Sequence, residues 1–236
     1  MDDDRRALWV TGGGSGMGAA VARTAAAAGW DVVVSGRRPE VLEELAAQIG
    51  PAATALPLDV RDVEAVAAAR AQVVDRLGRL DGLVLAAGSN TPRRRWDDQD
   101  IGAFHDVVAT NLGAVATVVD AALPDLRTSS GVVVVVSSLA GWTYNAGAGV
   151  AYSASKTALG SLVRTLNAQE AAHGVRACHL CPGGVATDFL DLRPEVPDAA
   201  ARARMLTPED VARTVQFVLD SPARVRIDEL VITPTG

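Results

Sequence analysis

The chain has 236 residues, of which 49% are hydrophobic and 4% aromatic, and its net charge at pH 7 is −6. This length and composition suit one globular domain, so we predict a single domain over residues 1–236. The negative charge disfavours nucleic acid as a partner, and the longest wholly apolar runs, such as Val132 to Val136, are far shorter than the ~20 residues of a membrane span. Met1 to Arg6 has no apolar segment typical of a secretory signal. We therefore expect a cytoplasmic protein that binds neither nucleic acid nor a membrane.

Runs of β-branched residues alternate with alanine-rich stretches of helical period along the chain. Strands are predicted at Leu8–Thr11, Asp31–Ser35, Thr54–Leu58, Gly82–Ala86, Gly131–Ser137, Val175–Cys181 and Asp228–Ile232. Helices are predicted at Gly16–Ala28, Pro39–Ile49, Asp62–Leu77, Asp98–Leu123, Tyr152–His173 and Pro208–Leu219. This order predicts an α/β fold: a doubly wound parallel sheet of about seven strands with helices on both faces.

A glycine-rich loop follows the first predicted strand and opens the first predicted helix. It runs from Thr11 to Gly18 with the spacing GxxxGxG. Glycines there allow a sharp turn and let a pyrophosphate approach the free N–H groups of the helix. A loop of this kind can also serve packing alone, but its place after the first of seven strands favours a dinucleotide site and hence a Rossmann-type domain.

The end of the second predicted strand indicates which dinucleotide binds. A site selective for NAD usually has a carboxylate there to bind the ribose 2′-hydroxyl, whereas this chain has Ser35-Gly36-Arg37-Arg38. A guanidinium can pair with the 2′-phosphate of NADP through two hydrogen bonds. We therefore predict NADP (NADPH/NADP+) as the cofactor; the alternative is a solvated arginine pair.

Only one of the 22 basic residues is a lysine, Lys156, and it stands four positions after Tyr152, one of two tyrosines. On a helix these positions lie on one face. An ammonium beside a phenol favours the phenolate, so Tyr152 is a candidate proton donor. Ser138, at the end of the fifth predicted strand, could bind the same substrate oxygen. The alternative is an exposed tyrosine beside a solvated lysine.

From Leu8 to Gly236, the chain resembles the short-chain dehydrogenase/reductase family. The family's TGxxxGxG and YxxxK patterns match at Thr11 to Gly18 and at Tyr152 to Lys156, and its serine, its helix asparagine and its proline-glycine segment match at Ser138, Asn111 and Pro182 to Thr187. The resemblance implies that Tyr152 exchanges the proton, Lys156 lowers the phenol pKa and holds the nicotinamide ribose, Ser138 positions the carbonyl, and Asn111 anchors a water. Asn111 could instead brace a buried backbone group.

The resemblance also implies adenine contacts from Asp59 and Val60, carboxamide contacts from Val185 and Thr187, and a homodimer or homotetramer formed through the two longest helices. The complete set of predicted cofactor-binding residues is Gly12, Gly14, Ser15, Gly16, Met17, Gly18, Arg37, Arg38, Asp59, Val60, Ala87, Gly88, Tyr152, Lys156, Pro182, Gly183, Val185 and Thr187.

One segment departs from the family pattern: after the fourth predicted strand, where Asn-Asn-Ala-Gly is common, the chain has Leu85-Ala86-Ala87-Gly88. The missing amides predict a weaker brace at the edge of the sheet. Further along, Gly183 to Thr207 is predicted to form a lid, with Asp188, Phe189 and Leu190 facing the cleft. The C-terminal segment lacks the longer glycine-rich tail of many members, which leaves the subunit contacts open.

Three further features allow two interpretations each, and for the CxxC pair these are structural thiols and a metal or redox site. Arg93-Arg94-Arg95 is either a solvated loop with local ion pairs or a site for an anionic substrate. Trp142 and Tyr144 either pack or form a wall of the substrate pocket. The CxxC pair, Cys178 and Cys181, is predicted to be structural, because residues three apart on a strand face opposite sides and the three histidines are scattered. No metal is predicted.

Together these features predict an NADP-dependent oxidoreductase that transfers a hydride between the cofactor and a carbonyl or alcohol substrate. The alternative is a catalytically silent protein of the same fold that senses a dinucleotide or acts as a scaffold.

Overall fold

The computed structural model describes residues 5–235, so Gly236 and the first four residues lie outside the described part of the chain. Seven strands form one parallel sheet: β1 Ala7–Thr11, β2 Asp31–Gly36, β3 Ala53–Pro57, β4 Gly82–Leu85, β5 Val132–Val136, β6 Arg176–Pro182 and β7 Glu229–Ile232. The strand order is β3-β2-β1-β4-β5-β6-β7. The predicted α/β fold is confirmed, with strand ends that differ from the predicted ends by at most one residue.

Helices connect the strands: α1 Gly16–Ala27, α2 Pro39–Ile49, α3 Val63–Leu77, α4 Ile101–Val108, α5 Ala114–Ser129, α6 Leu139–Trp142, α7 Val150–Glu170, α8 Ala199–Arg202 and α9 Pro208–Leu219. Local sequence explains several of their ends. Asp62 accepts a hydrogen bond from Ala65 N and begins α3, and Gly78 ends it in the left-handed conformation. Thr207 and Asp210 form a capping box at the start of α9.

Both faces of the sheet are covered by helices, so the five inner strands are almost entirely buried, whereas the edge strands β3 and β7 are partly exposed. The side chains of β1 alternate between the two layers: Leu8 and Val10 pack with α1, α2 and α9, whereas Trp9 packs with α3, α5 and α7. The five valines of β5 alternate in the same way. This explains why the sequence shows continuous apolar runs at the strands rather than an alternation with polar residues.

The predicted long helix is wrong in its extent. It was expected to span Asp98–Leu123; instead a continuous helical segment covers Ile101–Ser129, with a π-helical turn at Ala109–Gly113 between α4 and α5. Asp100 caps its start, and Pro124 does not end it. Proline removes one helical hydrogen bond, but burial of Ala122 and Leu126 on either side offsets that loss.

By length and composition alone, the segment Ile101–Ser129 could also cross a membrane, which the short apolar runs of the sequence had not suggested. Core helices of water-soluble proteins meet the same criterion, and in this fold the segment covers one face of the sheet. That this protein has no membrane partner remains a prediction.

The topology determines where a ligand can bind. The chain passes from β1 outward to β3 and then returns to β4 on the other side of β1, so the connections leave β1 and β4 in opposite directions. Ligands of open parallel sheets bind at such a switch point, beyond the carboxyl ends of the strands. The glycine loop after β1 and the segment after β4 meet there.

Candidate active site

The glycine loop folds tightly against the segment that follows β4. Gly12 has φ +68°, and a Cβ on it would lie 2.5 Å from Ala87 N. A Cβ on Gly18 would lie 2.2 Å from Gly12 O. Ser15 precedes α1 without a side-chain hydrogen bond to the first turn, which also lacks acidic residues. The N–H groups at the start of α1 are therefore available to an anionic ligand, and this loop fits a pyrophosphate.

A cleft of about 980 Å³ extends from this loop across the carboxyl ends of the strands. Every predicted cofactor-binding residue lines it, from Gly12 in the glycine loop to Thr187 after β6. Ser138 lines it as well, while Asn111 does not. The residues that the sequence suggested for phosphate, adenine and nicotinamide contacts thus border one continuous space that could hold an extended dinucleotide.

The arginines after β2 lie at one end of this cleft. Arg37 and Arg38 are both exposed, and neither forms an ion pair with a carboxylate of residues 5–235. A 2′-phosphate would therefore meet guanidinium groups that have no competing anion. Asp59, which also lines the cleft, accepts a hydrogen bond from Arg61 N at 3.0 Å.

The three predicted catalytic groups that border the cleft come from β5 and α7. Ser138 follows β5 and caps α6, its Oγ accepting a hydrogen bond from Ala140 N at 3.2 Å. Lys156 on α7 is buried, and its Nζ donates to Val136 O at 3.0 Å. The same Nζ lies 5.7 Å from the ring centroid of Tyr152, one turn earlier on α7. The two side chains therefore face a shared space, as their spacing predicted.

Burial and nearby charges act in opposite directions on the pKa of Tyr152. Burial raises the pKa of Tyr152, and it outweighs the lowering by a hydrogen bond with Ser138 and by the charges of Arg193 and Arg94. Burial also lowers the pKa of Lys156 to about 8. Desolvation of the ring is the largest effect, so the net shift is upward. The lowering of the phenol pKa by Lys156 stays a prediction. Tyr152 holds its proton at neutral pH.

Asn111 braces the segment after β4. It lies fully buried in the π-helical turn, where its Oδ1 accepts from Ser89 N at 2.7 Å and its Nδ2 donates to Ser89 O at 2.9 Å and to Ser155 Oγ at 3.2 Å. The bracing role that we had considered is confirmed, and the water-anchoring role stays a prediction. Ala86 N donates to Thr11 O at 3.1 Å, which extends the hydrogen bonding between β1 and β4. The weaker brace at this edge of the sheet stays a prediction.

Comparison with known proteins identifies the family, since the model of the short chain dehydrogenase family matches residues 6–196. The chain belongs to the short-chain dehydrogenase/reductase family. Members similar to it include sulfoacetaldehyde reductase 2 of Chromohalobacter salexigens, 35% identical over 96% of this chain and 93% of the relative. Serine 3-dehydrogenase of Agrobacterium fabrum is 30% identical over 97% and 94%. A solved structure of serine dehydrogenase in complex with NADP+, in its closed form, superposes with a TM-score of 0.89 at 28% identity, covering 97% of this chain and 94% of the other.

As a member of this family, the protein is an NAD(P)-dependent oxidoreductase with a small-molecule substrate. The predicted lid, Gly183 to Thr207, contains a 3-10 turn at Asp188–Leu192 and the short helix α8. Asp188, Phe189 and Leu190 line the cleft, and the Phe189 ring lies 6.0 Å from the Tyr152 ring between centroids. The predicted orientation of these three residues is confirmed.

Neither interpretation describes the whole arginine run, because Arg93 and Arg94 have different surroundings. Arg93 is exposed and forms an ion pair with Asp100 at 3.1 Å, as expected of a solvated loop. Arg94 is only 6% exposed and borders the cleft, which that interpretation did not predict. Arg193 in the lid borders the same cleft and was missed. The position of Arg193, a cation inside the predicted lid, could have indicated that it borders the cleft.

Trp142 and Tyr144 neither pack in the interior nor form a wall of the cleft. They are 55% and 88% exposed, and neither lines the cleft. The wall of the cleft is formed instead by the next residues, Asn145 to Ala148.

The two cysteines are buried and unpaired by disulfide, as predicted. Burial raises the pKa of each thiol to about 12. Cys181 nevertheless lies in one group with His179 and Glu229, whose possible ligand atoms are all within 4.8 Å of one another, a juxtaposition that sequence spacing did not reveal. His179 Nδ1 pairs with Glu229 at 3.0 Å. This contact and the buried, protonated thiol of Cys181 account for the cluster, and the absence of a metal stays a prediction.

Proposed function

We propose that the protein is an NADP-dependent reductase or dehydrogenase that interconverts a carbonyl and an alcohol, with Tyr152 as the acid and base. The observation that carries the proposal is that Tyr152, Ser138 and Lys156 border the same cleft as a glycine loop suited to a pyrophosphate. The relatives are named for reduction of an aldehyde and for dehydrogenation of serine, which agrees with this reaction class.

When bound, NADPH supplies a hydride from C4 of its nicotinamide to the carbonyl carbon. The Tyr152 phenol gives its proton to the carbonyl oxygen, so the C=O π bond breaks as the new C–H and O–H bonds form. The Ser138 hydroxyl can donate a hydrogen bond to the same oxygen and stabilise its developing negative charge. Lys156 would hold the nicotinamide ribose with the hydrogens that Val136 O does not accept.

The raised pKa of Tyr152 matches this role in the direction of reduction. A phenol that holds its proton through the neutral range is a competent donor, and the nearby cations Arg94 and Arg193 stabilise the phenolate that the transfer leaves. The phenolate regains its proton from solvent at the end of the cycle, and the same steps run backwards in alcohol oxidation.

A Tyr152→Phe variant tests the assignment, because phenylalanine keeps the ring and removes the proton. We expect NADPH to bind within about twofold of its parent affinity, while turnover falls by the 10²–10⁴-fold typical of lost general acid catalysis. The assay is NADPH absorbance across ketones, aldehydes, acyl thioesters and hydroxy acids, with fluorescence titration for binding. Parent-like turnover in the variant would show that another group is the acid. Tight NADPH binding without turnover on any compound would favour the dinucleotide-sensing or scaffold alternative.

The preference for NADP depends on Arg37 and Arg38, which are exposed in the cleft and face no carboxylate partner among the described residues. We expect Arg37→Ala to weaken NADPH binding about tenfold or more, the effect of losing a hydrogen bond to a charged group. NADH binding should change by less than about twofold, since NADH has no 2′-phosphate. Arg93→Ala, outside the cleft, is the matched control. Equal losses for both nucleotides in Arg37→Ala would contradict NADP selectivity.

We further propose that the protein acts in the cytoplasm as a homodimer or homotetramer, with the α4–α5 segment and α7 at the subunit contact. Ile101, at the start of α4, is 64% exposed in the single chain and would lose exposure in such an assembly. Light scattering of the purified protein measures the oligomeric state directly, and a monomer at micromolar concentration would contradict this assembly.

A further inference from the structure

The catalytic end of the cleft contains a buried arginine that no carboxylate of residues 5–235 neutralises. Arg94 is 6% exposed, and its guanidinium donates to three main-chain carbonyls: to Thr91 O at 2.7 Å, to Gly147 O at 3.2 Å and to Leu192 O. Among residues 5–235 it forms no ion pair. Carbonyl oxygens satisfy some of its hydrogens but leave its full positive charge. A buried charge without a counterion is costly, so the position favours an anion that arrives with a ligand.

A second arginine adds to the same field. Arg193 directly follows Leu192, whose carbonyl binds Arg94, and it lines the cleft while forming no ion pair with the described residues. Burial, and then the charge of Arg193, lower the pKa of Arg94, so the two cations repel each other in the protein without its ligands. An anionic group between or beside them would remove that repulsion.

Acidic residues also border the cleft, namely Asp59, Asp106, Asp188 and Glu195. None of them pairs with either arginine, and Asp106 pairs instead with Arg61 at 3.0 Å. Glu195 stands two positions after Arg193 but is exposed and forms no ion pair with it in the described chain. These carboxylates therefore leave the positive charge at the catalytic end uncompensated.

The phosphates of the cofactor cannot account for this pair. The pyrophosphate fits the start of α1 and the 2′-phosphate fits Arg37 and Arg38, at the other end of the cleft. Arg94 and Arg193 instead act on Tyr152, whose pKa their charges lower. An anion that they bind therefore belongs to the molecule whose oxygen Tyr152 protonates.

We infer that the substrate is a small carbonyl or hydroxy compound that carries a carboxylate or another oxyanion group, bound by Arg94 and Arg193 beside Tyr152. The inference rests on the proposed carbonyl–alcohol chemistry and narrows it to a substrate class. Arg193 is the exposed and adaptable partner. Arg94 has a fixed position, because its hydrogen bonds join the segment after β4, the wall at Gly147 and the lid at Leu192.

Three matched aldehydes test the substrate class: 4-oxobutanoate, 3-oxopropane-1-sulfonate and methyl 4-oxobutanoate. The first two are anionic and the third is a neutral analogue of the first. With the unmodified protein and NADPH, we expect KM for at least one anion to be about tenfold or more below that of the ester, the effect of one hydrogen bond to a charged group. A lower KM for the sulfonate or for the carboxylate identifies which oxyanion the site prefers. Equal KM values for all three compounds would overturn the inference.

Variants of Arg193 test whether this residue binds the anionic group of the substrate. Arg193→Met should lower the ratio of kcat/KM for the anion to kcat/KM for the ester by about tenfold. Loss of the charge near Tyr152 affects both compounds, whereas loss of the contact with the oxyanion affects only the anion, so the ratio isolates the contact. Arg193→Lys should restore part of the preference. Arg93→Met, an exposed arginine paired with Asp100 outside the cleft, is the matched control. Equal loss for anion and ester in Arg193→Met would overturn the assignment of Arg193. Arg94 is not substituted, since its loss would break three contacts that hold the fold.

A binding measurement separates this inference from the proposed reaction. Calorimetric titration of the Tyr152→Phe protein, loaded with NADPH, should give tighter binding of 4-oxobutanoate than of its methyl ester, and Arg193→Met in that background should remove the difference. If the unmodified protein reduces the ester as well as the anions and the titration shows no discrimination, the substrate class is wrong while the reaction stands. If anions bind selectively but no compound is reduced, the reaction is wrong while the anion site stands.

Discussion

Replacement of Gly12 by alanine should destabilise the protein more than the same replacement at Gly78. The two glycines have similar left-handed backbones, with φ +68° and +73°. At Gly78 an added Cβ meets no atom within 4 Å, so the cost is the left-handed conformation alone, about 1–2 kcal/mol. At Gly12 the same Cβ would lie 2.5 Å from Ala87 N and 2.6 Å from Ala86 C. Main-chain atoms cannot rotate away, so overlap adds about 1–3 kcal/mol.

The expected loss at Gly12 is therefore about 2–5 kcal/mol in the free energy of unfolding, against about 1–2 kcal/mol at Gly78. Urea denaturation followed by circular dichroism, without nucleotide and at one protein concentration, measures both values. Gly12→Ala should also weaken NADPH binding, since the overlap displaces the loop that fits the pyrophosphate, whereas Gly78→Ala should not. Losses of unfolding free energy that agree within about 0.5 kcal/mol would refute the argument that close approach, rather than φ, makes Gly12 necessary.

Two further predictions concern buried polar side chains. Between about pH 8 and pH 10.5, the unfolded chain holds the Lys156 proton more tightly than the folded chain, because burial lowers its pKa from 10.5 to about 8. Relative to Lys156→Met, the free energy of unfolding of the parent should therefore rise with pH in this window by up to about 3 kcal/mol. The comparison isolates Lys156, because the raised pKa values of Cys178, Cys181 and Tyr152 lower the stability of both proteins as the pH rises above about 9. Parallel pH profiles of the two proteins in urea titration would contradict this prediction. Asn167 is bonded to both main-chain groups of Ala177, at 2.8 Å and 2.7 Å, so Asn167→Leu should cost about 1–3 kcal/mol for each group left unpaired; a loss below about 1 kcal/mol in the same titration would count against this.

Periodicity was sufficient to predict the inner strands of the sheet because they are buried on both faces. Continuous β-branched runs such as the five valines of β5 have few alternatives in a chain that also has regular helical stretches. The ends of helices were harder, since they depend on contacts distant in the sequence. The helix that passes through Pro124 is an example, because burial of its neighbours against the sheet outweighs a proline that the sequence alone treats as a stop.

Some residues of the site could also be predicted from sequence, and others could not. Residues whose function needs a fixed local spacing, such as Tyr152 and Lys156 on one face of α7, could be identified from sequence. The protonation of Tyr152 could not, because desolvation and the charge of Arg193 depend on how the lid covers the ring. Arg94 looked like its solvated neighbours in the sequence, and only folding separates it from them by burying its guanidinium among main-chain carbonyls.

The hydrogen bond from Lys156 Nζ to Val136 O anchors the ammonium to the last residue of β5, two positions before Ser138. The Lys156 ammonium and the Ser138 hydroxyl are thus both positioned by β5, a central strand with another strand on each side. The separation of these two groups therefore does not depend on the conformation of residues 183–207. Phe189 and Arg193 border the same cleft from a segment outside the sheet. Changes within residues 183–207 can therefore alter the contacts with a substrate without moving the ammonium or the hydroxyl.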